Sequence, residues 1–208
     1  MRLTEVTLAW LAYFAVHSLL ASSTAKAAIG VFWPRLMPGY RLFFNLVATL
    51  TLVPVLWLVY GNHETNWLWQ WHGAWSWLAG GLSIAAIIGL LASARAYDMK
   101  HFLGLRQLAE GNGDAVEKFS ISYYHRYVRH PWYSFSLVLI WTRDMDGPVL
   151  VSALLMTAYF VVGSWLEERK LIACHGEVYR RYIAAVPGLL PLPWKFLSVA
   201  DANALVQE

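Results

Sequence analysis

Long apolar runs separated by short polar or basic segments dominate the hydrophobic pattern of this chain. Four runs, residues 3–20, 40–60, 75–94 and 148–165, each have about the length that a helix needs to cross a bilayer. A fifth run, residues 131–141, is equally apolar but reaches only about half that length. The pattern predicts an all-α polytopic membrane protein with about five transmembrane helices.

The last two apolar runs are separated by the turn Arg-Asp-Met-Asp-Gly at residues 143–147. They predict a C-terminal helical hairpin whose first arm, residues 131–141, is too short to cross as an independent span. No linker rich in proline, glycine or serine interrupts the chain. We therefore expect a single domain over residues 1–208, with three N-terminal spans in residues 1–95 and a cofactor-binding half in residues 96–208.

The basic residues predict the orientation. They concentrate in residues 21–41, 95–130 and 167–195, whereas residues 61–73 contain none. Because cytoplasmic loops are enriched in lysine and arginine, five spans with the N-terminus outside place all three basic segments in the cytoplasm. The expected location is a bacterial inner membrane, with the C-terminal tail cytoplasmic. The first run also resembles a signal peptide, but Glu5 offsets Arg2 and His17 interrupts the apolar stretch, so we expect a retained span.

Composition supports the same class. Hydrophobic residues make up 58% of the 208 positions and charged residues 14%, against roughly 25% charged in a soluble domain. A formal charge of +3 is ordinary for a membrane protein with basic loops and does not indicate a nucleic-acid partner. Cys174 is the only cysteine, which excludes an internal disulfide and a cysteine-based zinc site, and we expect no metal.

A dense polar cluster, residues 123–133, directly precedes the short apolar run. Such a cluster at a membrane edge is costly unless something uses it. Pro131 suits the first position of a helix, so the positive end of that helix would lie beside Arg129 and His130, ready for a carboxylate or phosphate. The alternative is a basic stop signal at the membrane surface.

Two adjacent carboxylates, Glu167 and Glu168, follow the last span immediately. One of them could be stabilised at the membrane edge by Arg129 or by a cationic ligand. The alternative is a solvated helix start, where acidic residues favour the helix dipole.

These pieces form an ordered series that resembles the isoprenylcysteine carboxyl methyltransferase and phospholipid methyltransferase superfamily. The series runs from residue 103 to residue 191 and comprises Arg-His-Pro-x-Tyr, the hydrophobic hairpin, Glu-Glu-x-x-Leu, Gly-Glu-x-Tyr and Val-Pro-x-x-x-Pro. Within the superfamily, the chain is most similar to methanethiol S-methyltransferase-like proteins. That likeness rests on Gly-Leu-Arg-Gln at residues 104–107, on the spacing from Phe119 to Pro131, and on His17-Ser18 with Lys26 in the N-terminal part.

The resemblance implies that S-adenosylmethionine binds between the hairpin and the C-terminal helix. Matched position by position, the residues implied at or beside the cofactor are Gln107, Phe119, Ser120, His125, Arg129, His130, Pro131, Tyr133, Glu167 and Glu168. Elementary chemistry agrees with three of the roles. A carboxylate suits Arg129 or a helix N-terminus, an ammonium suits Glu167, and a sulfonium is attracted to an aromatic face.

Three departures from the family pattern bear on the acceptor. His125 replaces a tyrosine, and Gly163 and Ser164 stand where prenylcysteine enzymes carry an arginine for the substrate carboxylate. After Tyr133, where the family commonly has two small residues including a glycine, this chain has Ser134-Phe135. The larger side chain predicts a narrower cavity. The partner expected is a small or lipophilic acceptor that enters from the lipid bilayer.

The sulfonium already activates the methyl group, so in-line approach of the nucleophile dominates the rate. A thiol with a pKa near 8.5 needs only modest help, and His17, His125 or Arg41 could supply it. His17 could instead be a hydrogen-bonded helix histidine, and Lys26 and Arg41 could be positive-inside anchors.

The sequence thus favours an S-adenosylmethionine-dependent membrane methyltransferase with a thiol acceptor. A lipid amine or prenylcysteine carboxylate acceptor is the enzymatic alternative. A haem-binding protein related to nitric-oxide-reductase accessory proteins and carotene isomerase, centred on His17 and Arg41, is the alternative of another class, and a catalytically silent membrane partner is a third. The sequence predicts no oligomeric state.

Overall fold

The computed structural model describes residues 2–61, 66–95, 97–111 and 119–207. Within these residues the chain is almost entirely helical, which confirms the all-α prediction. The elements are α1 (Arg2–Ala21), α2 (Ser23–Phe32), α3 (Met37–Tyr60), β1 (Trp67–Trp69), α4 (Ala74–Ala94), α5 (Met99–Leu103), α6 (Leu105–Glu110), α7 (Pro131–Trp141), β2 (Met145–Asp146), α8 (Gly147–Ala185) and α9 (Val199–Gln207), with short 3-10 helices at Pro34–Leu36 and Tyr124–Arg126.

Among the described residues, four helices are long and apolar enough to cross a membrane: α1, α3 together with the preceding 3-10 turn, α4 and α8. Each contains one of the four long apolar runs. Helix α7 has 11 residues and therefore spans only about 16 Å, which confirms that it is too short to cross alone. The chain is an integral membrane protein, and the count of five spans stays a prediction.

Two predicted loops contain helices that the apolar pattern did not reveal. In residues 21–39, α2 begins where Ser22 Oγ accepts a hydrogen bond from the backbone N–H of Ala25 at 3.1 Å. In residues 95–130, α5 begins where Asp98 accepts from the backbone N–H groups of Lys100 and His101. Both are side-chain caps that stabilise short helices.

The fold divides into two compact units. The first comprises residues 1–70, 97–116 and 144–155. Here the indole of Trp10 donates a hydrogen bond to Ser152 Oγ at 2.8 Å, and Val6 and Trp10 are buried. Strands β1 and β2 pair antiparallel, with Trp67 opposite Asp146. The segment expected to be only a turn thus contributes a strand as well.

The second unit comprises residues 71–96, 117–143 and 156–208. Helices α4 and α7 pack closely here. The Phe135 ring lies so near to Gly89 that an added Cβ atom at Gly89 would be only 2.5 Å from it. The Phe135 ring, expected to narrow a cavity, thus packs against Gly89 of α4. Ser83 and Thr142 join the same two elements by a 2.7 Å hydroxyl contact.

The C-terminal part of the second unit has its own hydrophobic core. Tyr179, Tyr182 and Val186 at the end of α8 pack with Leu197 and with α9. Helix α8 changes direction at Gly176, whose φ of 59° and ψ of −129° are not helical. Because only glycine adopts such angles at little cost, the Gly-Glu-x-Tyr motif begins at the bend.

Candidate functional site

The candidate site is built around the start of α7. Pro131 occupies the first turn of the helix, as its missing N–H and fixed φ favour. The two residues before it are held by the segment after α8, because the N–H of Arg129 donates to Pro187 O at 2.9 Å and the N–H of His130 to Gly188 O at 3.1 Å. The backbone carbonyl groups that follow α8 therefore hold the Arg-His-Pro motif in place.

Arg129 links this start to α8. Its Nε and Nη2 atoms both lie 2.8 Å from Glu168 Oε1, and Nη1 donates to the carbonyl oxygens of Ile183 and Val186. Both charged side chains are largely buried, with 10% of Arg129 and 14% of Glu168 exposed. A buried pair of this kind is stable only when its donors are satisfied, and most donors of this guanidinium have acceptors.

Gly188 leaves the space that Arg129 needs. A Cβ atom at this position would lie 3.3 Å from Arg129 Nη2 and 3.9 Å from Glu168 Oε1. A side chain would therefore press on the ion pair. The lack of a side chain at Gly188 therefore leaves the Arg129 guanidinium its room.

His130 joins the same carboxylate from the other side. Its Nε2 lies 3.0 Å from Glu168 Oε1, and its side chain is 6% exposed. Its ring stacks on Tyr133 at 5.4 Å, and Tyr133 stacks on Phe160 of α8 at 4.8 Å. The side chain of His130 makes no capping hydrogen bond to α7, so its structural role is to bind Glu168, not to cap the helix.

The two adjacent glutamates differ in environment. Glu168 accepts from both Arg129 and His130, whereas Glu167 is 51% exposed. Tyr133 Oη lies 3.5 Å and His130 Nδ1 lies 3.6 Å from Glu167 Oε2, which are long distances for hydrogen bonds. Glu167 is thus the more accessible carboxylate and stands beside two aromatic rings.

His125 lies in the 3-10 turn Tyr124–Arg126 before α7. Its Nδ1 lies 2.7 Å from Ser122 Oγ, and its carbonyl accepts a hydrogen bond from Tyr182 Oη at 2.6 Å. Burial, and secondarily the neighbouring His130, lower the pKa of His125 to about 4. The imidazole is therefore neutral near pH 7.

The predicted cofactor residues Phe119 and Ser120 have contrasting surroundings. The Phe119 ring contacts His175, Tyr179 and Tyr182 of α8 at centroid distances of 5.3, 5.8 and 5.7 Å. Ser120 is exposed. Phe119 thus contributes to the core of the C-terminal segment.

Three predicted residues belong to the first unit. The His17 ring packs on Phe44 at 4.9 Å. Arg41 donates through Nε to Phe102 O at 3.1 Å, and Gln107 donates through Nε2 to His101 O at 3.0 Å while its side chain is buried. The second unit holds the other predicted residues, and there Arg129, His130, Tyr133, Glu167 and Glu168 lie together.

A cavity of about 460 Å³ adjoins the ion pair. Its lining includes Arg129, Glu168, Ser164, Trp165 and Gly188. Its volume lies within the range for small-molecule sites, roughly 300–1,000 Å³. Sequence reasoning missed the contributions of Gly188, Trp165 and Phe160; the only local signal was the proline-glycine pair after α8.

Comparison with known proteins identifies the family. Methanethiol S-methyltransferase of Crocosphaera subtropica is 32% identical over 192 residues, covering 84% of this chain and 69% of the relative. The chain belongs to the methanethiol S-methyltransferase family. The enzyme of that name from Mycobacterium tuberculosis is 31% identical over 204 residues, covering 90% and 78% of the two chains. Methanethiol S-methyltransferase 2 of Bradyrhizobium diazoefficiens is 29% identical over 201 residues, covering 91% and 74%.

No family model matches the chain, and no solved structure matches it. Membership of the methanethiol S-methyltransferase family confirms the resemblance found in the sequence. It also confirms that the protein is a membrane methyltransferase, and it disfavours the haem-binding and catalytically silent alternatives.

Proposed function

We propose that this protein transfers a methyl group from S-adenosylmethionine to a small thiol, with the donor held by the cluster of Arg129, His130, Tyr133, Glu167 and Glu168. The observation that carries the proposal is that the two adjacent glutamates differ in their partners and in their exposure. Glu168 is committed to Arg129 and His130, while Glu167 is half exposed beside a stack of aromatic rings.

The chemistry of these side chains fits the donor. Glu167 offers a carboxylate for an ammonium group. The Tyr133 ring stacks on His130 and on Phe160, so the outer face of the Phe160 ring is the one that can attract a cationic sulfur. The remaining charges of the cluster largely cancel, because Arg129 pairs with Glu168. A ligand carrying both an ammonium and a sulfonium suits this arrangement better than an anionic ligand would.

S-adenosylmethionine supplies a methyl group that its sulfonium has already activated. The protein then has to align a thiolate in line with that group and exclude water. With the donor bound, a new S–CH3 bond would form on the acceptor as the sulfonium S–CH3 bond breaks, S-adenosylhomocysteine would leave as a neutral sulfide, and the thiol proton would pass to solvent or to a nearby base. A neutral thioether product leaves without a charge to stabilise.

The thiolate is the reacting form, and even a cysteine thiol is only a few per cent ionised at pH 7, so a nearby base would speed the transfer. His125 is neutral near pH 7, but its pKa of about 4 makes it a weak base, and its Nδ1 contacts Ser122. We therefore assign His125 a positioning role. His17 and Arg41 are retained as candidates for assisting the acceptor thiol.

Two features favour a small acceptor without a carboxylate. The relatives are named for methanethiol. Gly163 faces Tyr133, since a Cβ there would lie 4.0 Å from the phenol oxygen, and neither Gly163 nor Ser164 can bind a substrate carboxylate as an arginine does. A prenylcysteine acceptor is disfavoured for the same reason.

The proposal includes the topology predicted from the basic residues. The N-terminus lies outside, the cofactor site lies on the cytoplasmic side of a bacterial inner membrane, and residues 1–208 act as one functional domain. The acceptor reaches the site from the bilayer.

The test is an assay of the purified protein with S-adenosylmethionine labelled in the methyl group. Methanethiol, a longer alkanethiol, a lipid amine and a prenylcysteine are offered separately. We expect the label to appear only in the thioether product. The Glu167→Gln variant, assayed in the same way, should transfer less label than the unaltered protein. Transfer to the lipid amine or prenylcysteine but not to thiols would refute the acceptor class. A Soret absorbance without transfer would support the haem-binding alternative.

A further inference from the structure

A second cavity lies wholly within the first unit, and the binding inferred for it goes beyond the proposed methyl transfer. It has a volume of about 170 Å³, and its lining includes Lys26, Tyr40, Arg41, Phe44, Asn45 and Phe102. Helix α1 ends beside it at Leu20 and Ala21, and α3 begins there with Tyr40 and Arg41. The cavity therefore lies at the same end of two membrane-spanning helices, where lipid headgroups lie.

The charge of this cavity is positive. Lys26 and Arg41 are both half-buried, and the other lining residues are apolar or neutral. Lysine and arginine side chains at the ends of spanning helices attract anionic lipid headgroups. Basic pockets between transmembrane helices are a recurring form of anionic lipid site.

The cavity is also pre-organised. Phe102 O accepts from Arg41 Nε and from Asn45 Nδ2, both at 3.1 Å, and Arg41 lies over the Phe102 ring at 5.9 Å. Tyr40 Oη donates to Leu20 O at 2.6 Å, which ties the start of α3 to the end of α1. Arg41 is thus held at a fixed position in the wall, which lowers the entropic cost of binding a ligand.

Gly104 allows this close packing. Its φ is +88°, and a Cβ atom there would lie 2.5 Å from Leu42 N and 3.0 Å from the Arg41 Cβ. Only glycine brings the backbone between α5 and α6 this near to α3. Gly104 therefore lets the segment that carries Phe102 approach Arg41, and any other residue at this position would clash with α3.

We propose that this cavity binds a phosphate-bearing anion, the headgroup of an anionic membrane lipid, between Lys26 and Arg41. Two cations match one phosphate, and Arg41 can engage phosphate oxygens in a bidentate manner. The apolar walls from Leu20, Phe44 and Phe102 suit the first carbons of a lipid chain. The same chemistry would accept free phosphate, and the experiment separates these two sources.

The experiment measures binding to the full chain in neutral detergent by the shift in thermal unfolding, followed by tryptophan fluorescence. The probes are short-chain phosphatidylglycerol, short-chain phosphatidylcholine and inorganic phosphate. We expect saturable stabilisation by phosphatidylglycerol, with about tenfold weaker binding in Lys26→Gln and in Arg41→Gln, since each loses one charge-assisted contact. Arg35→Gln is the matched control, because Arg35 is an exposed cation of the same basic segment and should bind like the unaltered protein.

Stabilisation by inorganic phosphate alone, lost in Lys26→Gln, would assign the site to a free anion. Stabilisation by phosphatidylglycerol but not by phosphate would assign it to the lipid. Equal responses to phosphatidylglycerol and phosphatidylcholine, or equal loss in Arg35→Gln and Lys26→Gln, would overturn the proposal. If Arg41→Gln fails to fold because Phe102 O loses one of its donors, the result for Lys26→Gln still decides. Because the readout is binding, a failed methyl-transfer assay does not affect the result.

Discussion

Arg129 and Glu168 are 39 residues apart in sequence, yet Nε and Nη2 of the arginine both lie 2.8 Å from one carboxylate oxygen of the glutamate. His130 adds a third donor to that oxygen at 3.0 Å. The start of α7 and the middle of α8 are thereby joined at a largely buried point. The pair leaves Glu167, one residue earlier, as the carboxylate available to a ligand.

Glu168→Gln should destabilise the fold. The substitution removes a buried charge that accepts from two side chains and leaves Arg129 without its counterion, so we expect the free energy of unfolding to fall by about 2–3 kcal/mol. Thermal unfolding in detergent measures it. Glu177→Gln is the control on the same helix, because Glu177 is 73% exposed and its pair with Arg180 should contribute little. Similar melting of the two variants would contradict a stabilising role for the pair.

Glu167→Gln should weaken cofactor binding and leave the fold intact. Loss of one charge-assisted contact to the ligand's ammonium should cost about 1.5–3 kcal/mol of binding free energy, whereas the 3.5 and 3.6 Å contacts of Glu167 contribute little to stability. Calorimetry with S-adenosylmethionine measures the affinity. An unchanged dissociation constant in a variant that melts like the unaltered protein would show that Glu167 does not meet the ligand.

Two substitutions of His130 separate its contact with Glu168 from a contact with the cofactor. A glutamine amide nitrogen can take the place of Nε2, whereas asparagine is too short to reach Glu168. The free energy of unfolding of His130→Asn should therefore be about 1 kcal/mol lower than that of His130→Gln. If the imidazole contacts the cofactor, both variants should lose the stabilisation that S-adenosylmethionine adds, about 2.7 kcal/mol at 100 times Kd. Retention of the full cofactor shift in His130→Gln would show that only the bond to Glu168 matters.

Gly104→Ala should be strongly destabilising. The residue has a φ of +88°, and a Cβ would meet the backbone nitrogen of Leu42 at 2.5 Å, so strain and clash together should cost about 2 kcal/mol or more. Gly81→Ala in α4 is the control, because nothing lies within 4 Å of its Cβ position and alanine favours a helix. We expect Gly81→Ala to melt at or above the temperature of the unaltered protein. Equal, small effects would show that α5 and α6 do not pack on α3 this closely.

The low pKa of His125 predicts a pH dependence of stability. Its pKa is about 4 in the folded protein and 6.5 in the unfolded chain. Between pH 4 and pH 6.5, His125 is therefore protonated in the unfolded state and neutral in the folded state. Stability from this group is complete above pH 6.5 and is lost as the pH falls toward 4, by about 1.4 kcal/mol per pH unit. Unfolding of the unaltered protein and of His125→Asn from pH 4 to pH 8 tests this. Identical slopes for the two proteins would refute it.

The sequence by itself determined the membrane class, the approximate spans and the bounds of α7. These features depend on local properties: the length of an apolar run, the missing N–H of Pro131, and the prolines that end α8 after Ala185. Hydrophobic length has the same effect whatever it packs against. The caps Ser22 and Asp98 were also present in the sequence, but α2 and α5 are too short and too mixed for apolar periodicity to reveal them.

Only the tertiary structure decided which glutamate pairs with Arg129, that Gly188 makes room for the pair, and that β1 pairs with β2. Glu167 and Glu168 are adjacent and chemically identical, so no local signal distinguishes them. The choice depends on which face of α8 meets the start of α7 and where the carbonyl groups after Pro187 lie. Contacts between segments 20 to 80 residues apart (Phe135 with Gly89 and Trp67 with Asp146 among them) follow from how helix surfaces fit together, and that fit is a property of the whole fold.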